Sequence, residues 1–379
     1  MGMVLTEDEK LLVETADGFF SDKAPATALR KLRDERDETG FDKNLWQEMA
    51  DMGFTGVLID EEHGGVNMGF LAAGLIAEQM GKNLTASPFI STAILAATAL
   101  NKGGSVEQKS AWLPKIASGE TIMALALEEI SKHRPEASAM PAERAGNGFK
   151  LNGQKAMVLD GHVADQMIVV ARTSGESGDM DGLTLFLVDP KTKGVATERT
   201  QMVDSRNSAR VEFEDVEVNA DAVIGEVDKG GDLIAVICNA GRAALSAELL
   251  GTGGEAFRMT TDYIRERKQF GQEIGSFQAL QHRSSHLYSE LEIARSAVLA
   301  ALTAMDADPK SAELVVAMTK AKVGRVAKLA GLEGVQMHGG VGMTDEYDIG
   351  LYLKRIRVVQ ELFGDANYHM EKIASMKGY

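Results

Sequence analysis

Tyr263-Ile264-Arg265-Glu266-Arg267-Lys268-Gln269-Phe270-Gly271, continued by Ser276-Phe277-Gln278-Ala279-Leu280-Gln281, reads as a helix end, a turn and a second helix start. Upstream, Leu245, Leu249, Ala256, Met259 and Tyr263 recur at spacings of three, four or seven, an apolar stripe at the α-helical period. That helix delivers Arg265, Arg267 and Lys268 together at its C-terminal end, ahead of Gly271. Cations there complement the helix dipole, so a capped helix stop is the plain reading. It leaves Gln269-Phe270-Gly271 and Phe277-Gln278 unexplained. A guanidinium for a phosphate, amides for ring edges and aromatic faces for a planar ring are what a bound dinucleotide needs.

The 379 residues, 44% of them hydrophobic, suffice for two or three layers or domains around a large core. A formal charge of −16 argues against nucleic acid as a main partner, because neutralising phosphates takes a basic face. Cys238 is the single cysteine, so neither an intrachain disulfide nor a Cys-rich zinc site is expected, and a reducing cytoplasm fits. The N-terminal residues lack a basic region followed by an apolar run, and no membrane span is expected. Met1-Gly2-x-x-x-Thr6 matches a loose myristoylation pattern, without the polybasic segment that a stable anchor needs.

Residues 1–120 read as a helical domain. Thr6-Glu7-Asp8-Glu9 is a capping-box start, Leu45 to Asp51 form a helix stopping at Gly53, and Val57-Leu58-Ile59 breaks into the loop Asp60-Glu61-Glu62-His63-Gly64-Gly65. Leu71 to Met80 and Ser91 to Leu100 supply further helices. Residues 121–228 carry short β-favouring runs, among them Met123 to Leu127, Phe149 to Leu151, Met167 to Ala171, Leu183 to Val188 and Val211 to Phe213. A small β-barrel or sandwich is expected there, with a hairpin at Asn152-Gly153. Residues 229–379 return to helix. Phe277, Leu280, Leu287, Leu291, Ala294, Val298 and Leu302 keep one face for about seven turns, a length suited to a four-helix bundle. The class is therefore α+β, in the order α–β–α.

Gln336-Met337-His338-Gly339-Gly340-Val341-Gly342 is the second strong signal, since paired glycines after a helix let backbone approach an anion or a ring. Tyr-x-x-x-Arg-x-Gln-Phe-Gly with Phe-Gln beyond it, Gln-x-x-Gly-Gly, and the α–β–α order together resemble the acyl-CoA dehydrogenase family over nearly the whole chain. The resemblance implies FAD and the α,β-dehydrogenation of an acyl-CoA thioester. It implies that Gln336, Met337, His338, Gly339 and Gly340 meet the adenine half of FAD. Arg267, Gln269, Phe270, Phe277 and Gln278 would reach the pyrophosphate of a neighbouring subunit. Electron-transfer flavoprotein is the implied electron acceptor, and a homodimer or homotetramer the implied assembly.

The carboxylate that takes the α proton is harder to place. The family's C-terminal Tyr-Glu-Gly-Thr appears here as Leu362-Phe363-Gly364-Asp365, and its alternative acid-arginine pair as Gly241-Arg242. Arg242 matches as a supporting residue and neither acid does. Glu248 stands seven residues after Gly241, two helical turns along the same face, and is the first candidate base; Asp365 is the second. The family's Thr-Glu-Pro-x-x-Gly-Ser-Asp reads Leu127-Glu128-Glu129-Ile130-Ser131-Lys132-His133-Arg134, and its Trp-Ile-Thr/Ser reads near Val158-Leu159-Asp160. Flavin contacts from the β domain therefore do not carry over residue by residue. Gly161 to Asp165, Gly275 to Arg283 and Leu362 to His369 resemble the branch containing the small subunit of pimeloyl-CoA dehydrogenase. That branch raises an alternative: a non-catalytic or half-site subunit of a heterotetramer with a sister chain. His282 and His286 stand four apart on a helix without a third ligand, so no metal is expected, and Gly251-Thr252-Gly253-Gly254 has no preceding strand and is no Rossmann loop.

Overall fold

Thr6 opens the first helix through the capping box its sequence predicts, its hydroxyl accepting from the Glu9 N–H while its own N–H donates to the Glu9 carboxylate at 2.6 Å. The computed structural model describes residues 4–379, so the myristoylation pattern, which needs Met1 and Gly2, lies outside the described residues. The helices α1 (Glu7–Lys23), α2 (Ala26–Glu35), α3 (Lys43–Asp51) and α4 (Gly69–Asn83) follow in order. Then comes a π-helical run, Phe89–Ala96, which continues into α5 (Ala97–Gly103) and is followed by α6 (Val106–Ala117). Gly53 ends the α3 region at a φ of +78°, as its position predicts.

Residues up to Lys31, Phe70–Thr85 and Arg242–Tyr379 gather into one compact unit; Leu32–Gly69 and Ala86–Gly241 gather into another. The second unit contains the β structure. One sheet has the order β1 (Met123–Ala126), β4 (Gln166–Arg172), β5 (Leu183–Val188), β8 (Val223–Ile224), with β1 parallel to β4 and the other pairs antiparallel. The other sheet is antiparallel throughout, in the order β2 (Ala142–Ala145), β3 (Gly148–Leu159), β7 (Asn207–Asn219), β6 (Val195–Gln201). Phe149, Leu151, Val211 and Phe213 of one sheet share a buried core with Val169, Phe186 and Val188 of the other, so the expected β domain is a sandwich.

Asn152-Gly153 is not a hairpin. Both residues lie inside β3, where the register shifts between Leu151 and Gly153 and Gly153 takes a φ of +140°. Asn152 exchanges hydrogen bonds with Asp215 across the sheet, stabilising a bulge. The hairpin turn is Gly146-Asn147, between the paired residues Ala145 and Gly148, with Gly146 at φ +57°. An Asn-Gly pair supplies the backbone freedom for either feature, and cross-strand pairing decided which.

The helical unit is completed by α7 (Gly231–Glu266) from Arg242 onward, α8 (Gln278–Ala307), α9 (Glu313–His338), α10 (Ile349–Glu361) and α11 (Ala366–Lys377). α9 packs against α8, α10 and α11, which forms the expected bundle, and the α8 stripe Leu287, Leu291, Ala294, Val298 and Leu302 is buried. By length and composition α7 could cross a membrane, contrary to the sequence reading, but most of its apolar window is buried as a core helix is. α7 crosses α4 at contact distance. A Cβ on Gly251 would lie 1.9 Å from the Glu78 carbonyl oxygen, and one on Gly81 would lie 2.2 Å from that of Glu248. Gly251→Ala is expected to lower stability by about 1–3 kcal/mol, the usual cost of overpacking. Chemical denaturation checks this, and an unchanged midpoint would show that the two helices separate freely.

Candidate functional site

The helix end that opened the sequence reading stops at Glu266 and passes into a small hairpin, β9 (Lys268–Gln269) paired with β10 (Gln272–Glu273). Its two turn residues, Phe270 and Gly271, both have left-handed φ values of +54° and +81°, so the expected simple turn is a two-residue hairpin. Arg267 sits at its mouth, its N–H donating to the Tyr263 carbonyl at 2.9 Å and its carbonyl accepting from Ile274 at 2.8 Å. The backbone is thereby fixed while the guanidinium remains exposed. Gln269 and Gln278 are exposed as well, and Phe270, 88% exposed, meets the Phe277 ring edge-on at 6.2 Å. An aromatic held so far out of the core is costly unless something covers it.

The glycine segment lies against this hairpin in the same unit. Met337 shares a small buried core with Ile264 and Ile274, and Tyr263, Phe277 and Leu280 pack on that core. His338, the last residue of α9, stacks on Tyr263 with ring centroids 4.4 Å apart and planes 21° apart. Tyr347 stands edge-on to both rings, at 5.7 Å from Tyr263 and 5.5 Å from His338. Beyond His338 the chain turns at Gly339, φ +64°, into a 3-10 turn. A Cβ on Gly339 or Gly340 would touch nothing within 4 Å, so the backbone there is open to a ligand, whereas Gly342 is packed against Val335. Gln336 is exposed. Burial pushes the His338 imidazole below its ordinary pKa, and its hydrogen bond to the Gly334 carbonyl works the other way.

Arg242 is 2% exposed and donates to the Phe363 carbonyl at 3.1 Å, with its guanidinium 5.7 Å from the centre of the Tyr368 ring. Lys320, buried on α9, donates to the carbonyls of Val359, Gln360 and Gly364 at 3.0–3.2 Å. Two of these close the C-terminal end of α10, where carbonyls have no helical partner. Burial, with the Arg242 charge beside it, pushes Lys320 down to about 7, against the pull of Glu361 and Asp365. The Phe363-Gly364 turn is therefore held through its backbone by the buried side chains of Arg242 and Lys320. Phe363 takes a φ of +56° within it.

Both oxygens of Glu248 are engaged by Arg355 of α10, at 2.7 and 2.9 Å, in a buried two-point pair. That favours a structural ion pair over the base role suggested by its helical spacing. Asp365 caps α11, one of its oxygens accepting from the Tyr368 N–H at 2.8 Å, and stands two residues after Phe363.

In the β unit, Glu128 pairs with His133, and Glu129 pairs with the fully buried Lys155 at 2.7 Å. Lys155 also donates to Ser138 and to the Leu127 carbonyl. This network organises the loop after β1, and the sequence reading missed it. Its one signal was a lysine at the inward parity of β3, two places from Gly153 and four from Leu151. His282 and His286 are exposed on α8, and among the described residues no three His, Cys, Asp or Glu side chains stand close enough to hold a metal.

The family profiles for the acyl-CoA dehydrogenase N-terminal, middle and C-terminal domains match residues 6–120, 131–216 and 228–377. The short/branched chain specific acyl-CoA dehydrogenase of Bos taurus mitochondria is 28% identical over 374 residues, covering 97% of this chain and 85% of the relative. Among solved structures, the ChsE4-ChsE5 complex from Mycobacterium tuberculosis superposes with a TM-score of 0.88 at 26% identity, covering 100% of this chain and 99% of that one. A structure described as the electron transferring flavoprotein of Acidaminococcus fermentans gives 0.89 at 27%, with 100% and 99% covered. With the N-terminal, middle and C-terminal domain profiles matched in that order along the sequence, the chain belongs to the acyl-CoA dehydrogenase family.

Proposed function

We propose that this chain is a FAD-dependent acyl-CoA dehydrogenase that holds the adenine and pyrophosphate end of FAD on the Arg267 hairpin and the Gly339–Gly340 turn. The observation that carries this reading is the meeting of those two segments, distant in sequence, at the rings of Tyr263, His338 and Tyr347. The residues fit the cofactor. Open backbone at Gly339 and Gly340 admits a close ligand, an exposed guanidinium at Arg267 suits a pyrophosphate, and exposed Phe270, Gln269 and Gln278 offer a ring face and amides. Gln336 completes the adenine side, and a second subunit completes the site.

When bound, FAD supplies an acceptor for the β hydrogen and its electron pair. The thioester acidifies the α carbon, and a carboxylate of the protein has to take that proton. In this reading Glu248 is the counter-ion of Arg355, and Asp365 is the carboxylate offered to the α proton. Arg242 and Lys320 keep the Phe363-Gly364 turn before it in one conformation. The similarity to a short/branched chain enzyme favours a catalytically active dehydrogenase over a half-site subunit, and a short or branched acyl group as substrate. The likeness to a flavoprotein electron carrier and to a two-component complex supports electron-transfer flavoprotein as acceptor, and a homo-oligomer or heteromer as assembly. Boundaries near residues 120 and 228, and a cytoplasmic location, complete the proposal.

The chain purified alone is expected to carry flavin absorbance near ~450 nm that bleaches on adding short or branched acyl-CoA thioesters. Arg267→Ala is expected to be isolated largely without flavin, and a fully loaded variant would remove Arg267 from the site. Asp365→Asn keeps a capping residue and is expected to retain flavin while losing dehydrogenation by about 10²–10⁴-fold; undiminished turnover would place the base elsewhere. Glu248→Ala is expected to cost about 3–5 kcal/mol of stability by stranding the Arg355 charge. Pairing Glu248→Leu with Arg355→Met should recover most of that loss in a denaturant titration, and a stable single variant would contradict the structural assignment.

A further inference from the structure

The geometry points to His338 as a positioning residue for FAD: an imidazole, clamped between Tyr263 and Tyr347, that sets the Gly339–Gly340 backbone in register with the Arg267 hairpin. This rests on the flavin reading above and adds the device that joins its two halves.

The need for such a device follows from the glycines. Gly339 and Gly340 have no side chains to anchor them, nothing lies within 4 Å of where a Cβ would be, and the Gly339 N–H is tied back to the Gln336 carbonyl at the end of α9. Glycine also carries the largest conformational freedom of any residue. Their orientation therefore depends on the residue directly before them, His338, which is 3% exposed and closes α9. Three contacts fix that ring. Its Nδ1 is 2.7 Å from the Gly334 carbonyl; a carbonyl only accepts, so Nδ1 carries the proton and the ring's rotation is set. One face stacks on Tyr263 at 4.4 Å. Tyr347 closes a third side edge-on.

Tyr263 connects this clamp to the hairpin: its carbonyl accepts the Arg267 N–H at 2.9 Å, one helical turn on, and its side chain packs on the Ile264, Ile274 and Met337 cluster beneath the hairpin. The phosphate-facing and adenine-facing segments are thus spaced by a ring stack. Histidine meets both demands there, stacking as an aromatic and donating to a carbonyl. Phenylalanine meets only the first, and alanine meets neither.

The test measures binding to flavin-stripped protein by flavin fluorescence, with ADP as competitor, alongside far-UV circular dichroism and the apo thermal midpoint. His338→Ala is expected to weaken FAD and ADP together by about tenfold, the scale of a lost aromatic contact, with FMN affinity unchanged. His338→Phe is expected to recover most of that loss, with an apo thermal midpoint close to the parent's. FAD and ADP affinities in the alanine variant equal to those of the parent would overturn the inference. So would a phenylalanine variant that binds as weakly as alanine and melts early, since His338 would then serve folding alone. Failure of the parent protein to bind either FAD or ADP would instead overturn the flavin reading beneath it.

Discussion

Burial of charge governs the helical unit. Arg242, Glu248, Lys320 and Arg355 all lie inside it, and a charge removed from water has to be met by an opposite charge or by aligned dipoles. Glu248 and Arg355 meet each other and fix α10 against α7. Arg242 and Lys320 are met by backbone carbonyls, and those carbonyls belong to the end of α10 and the turn after it. The course of residues 359–364 is therefore dictated by where two cations need acceptors. A turn so held keeps its shape through its backbone, independently of the side chain at position 363.

The candidate ligand face depends on the opposite condition, with apolar rings and glycines in place of charge. Ile264, Ile274 and Met337 form a core too small to be a domain centre, but it sits where the end of α7, the β9–β10 hairpin and the end of α9 converge. Around it the polar and aromatic groups point outward. Phe270 and Arg267 are exposed on one side and the Gly339–Gly340 backbone on the other. Rigid support beneath and unsatisfied surface above is the arrangement a bound planar group requires.

Features governed by neighbours within a turn were legible beforehand. The Thr6-Glu9 capping box, the stop at Gly53, the buried stripe of α8 and the cationic end of α7 follow from contacts three or four residues long, and all appear as read. Asn152-Gly153 was misread because glycine serves both bulges and hairpin turns, and what pairs across the strand decides between them. The ring cluster was half legible. Each of the two segments could be recognised alone, but nothing local says that Tyr263 lies on His338, 75 residues later by their numbers.

Glu248 shows where that limit falls. Helical periodicity placed it two turns from Gly241 on the same face of α7, and in that the reading was sound, because 3.6 residues per turn is a property of the backbone itself. What its carboxylate meets was decided by Arg355, 107 residues away, whose approach depends on how α10 packs on α7. The amino-acid order alone established the helices, the strands, the charge at the helix end and the glycines that open the backbone, all of them consequences of short-range sterics and hydrogen bonding. Tertiary packing chose the partners: which acid is neutralised, which carbonyls receive the cations and which rings stack. Those pairings arise from groups brought together by the burial of surface, which no local pattern encodes.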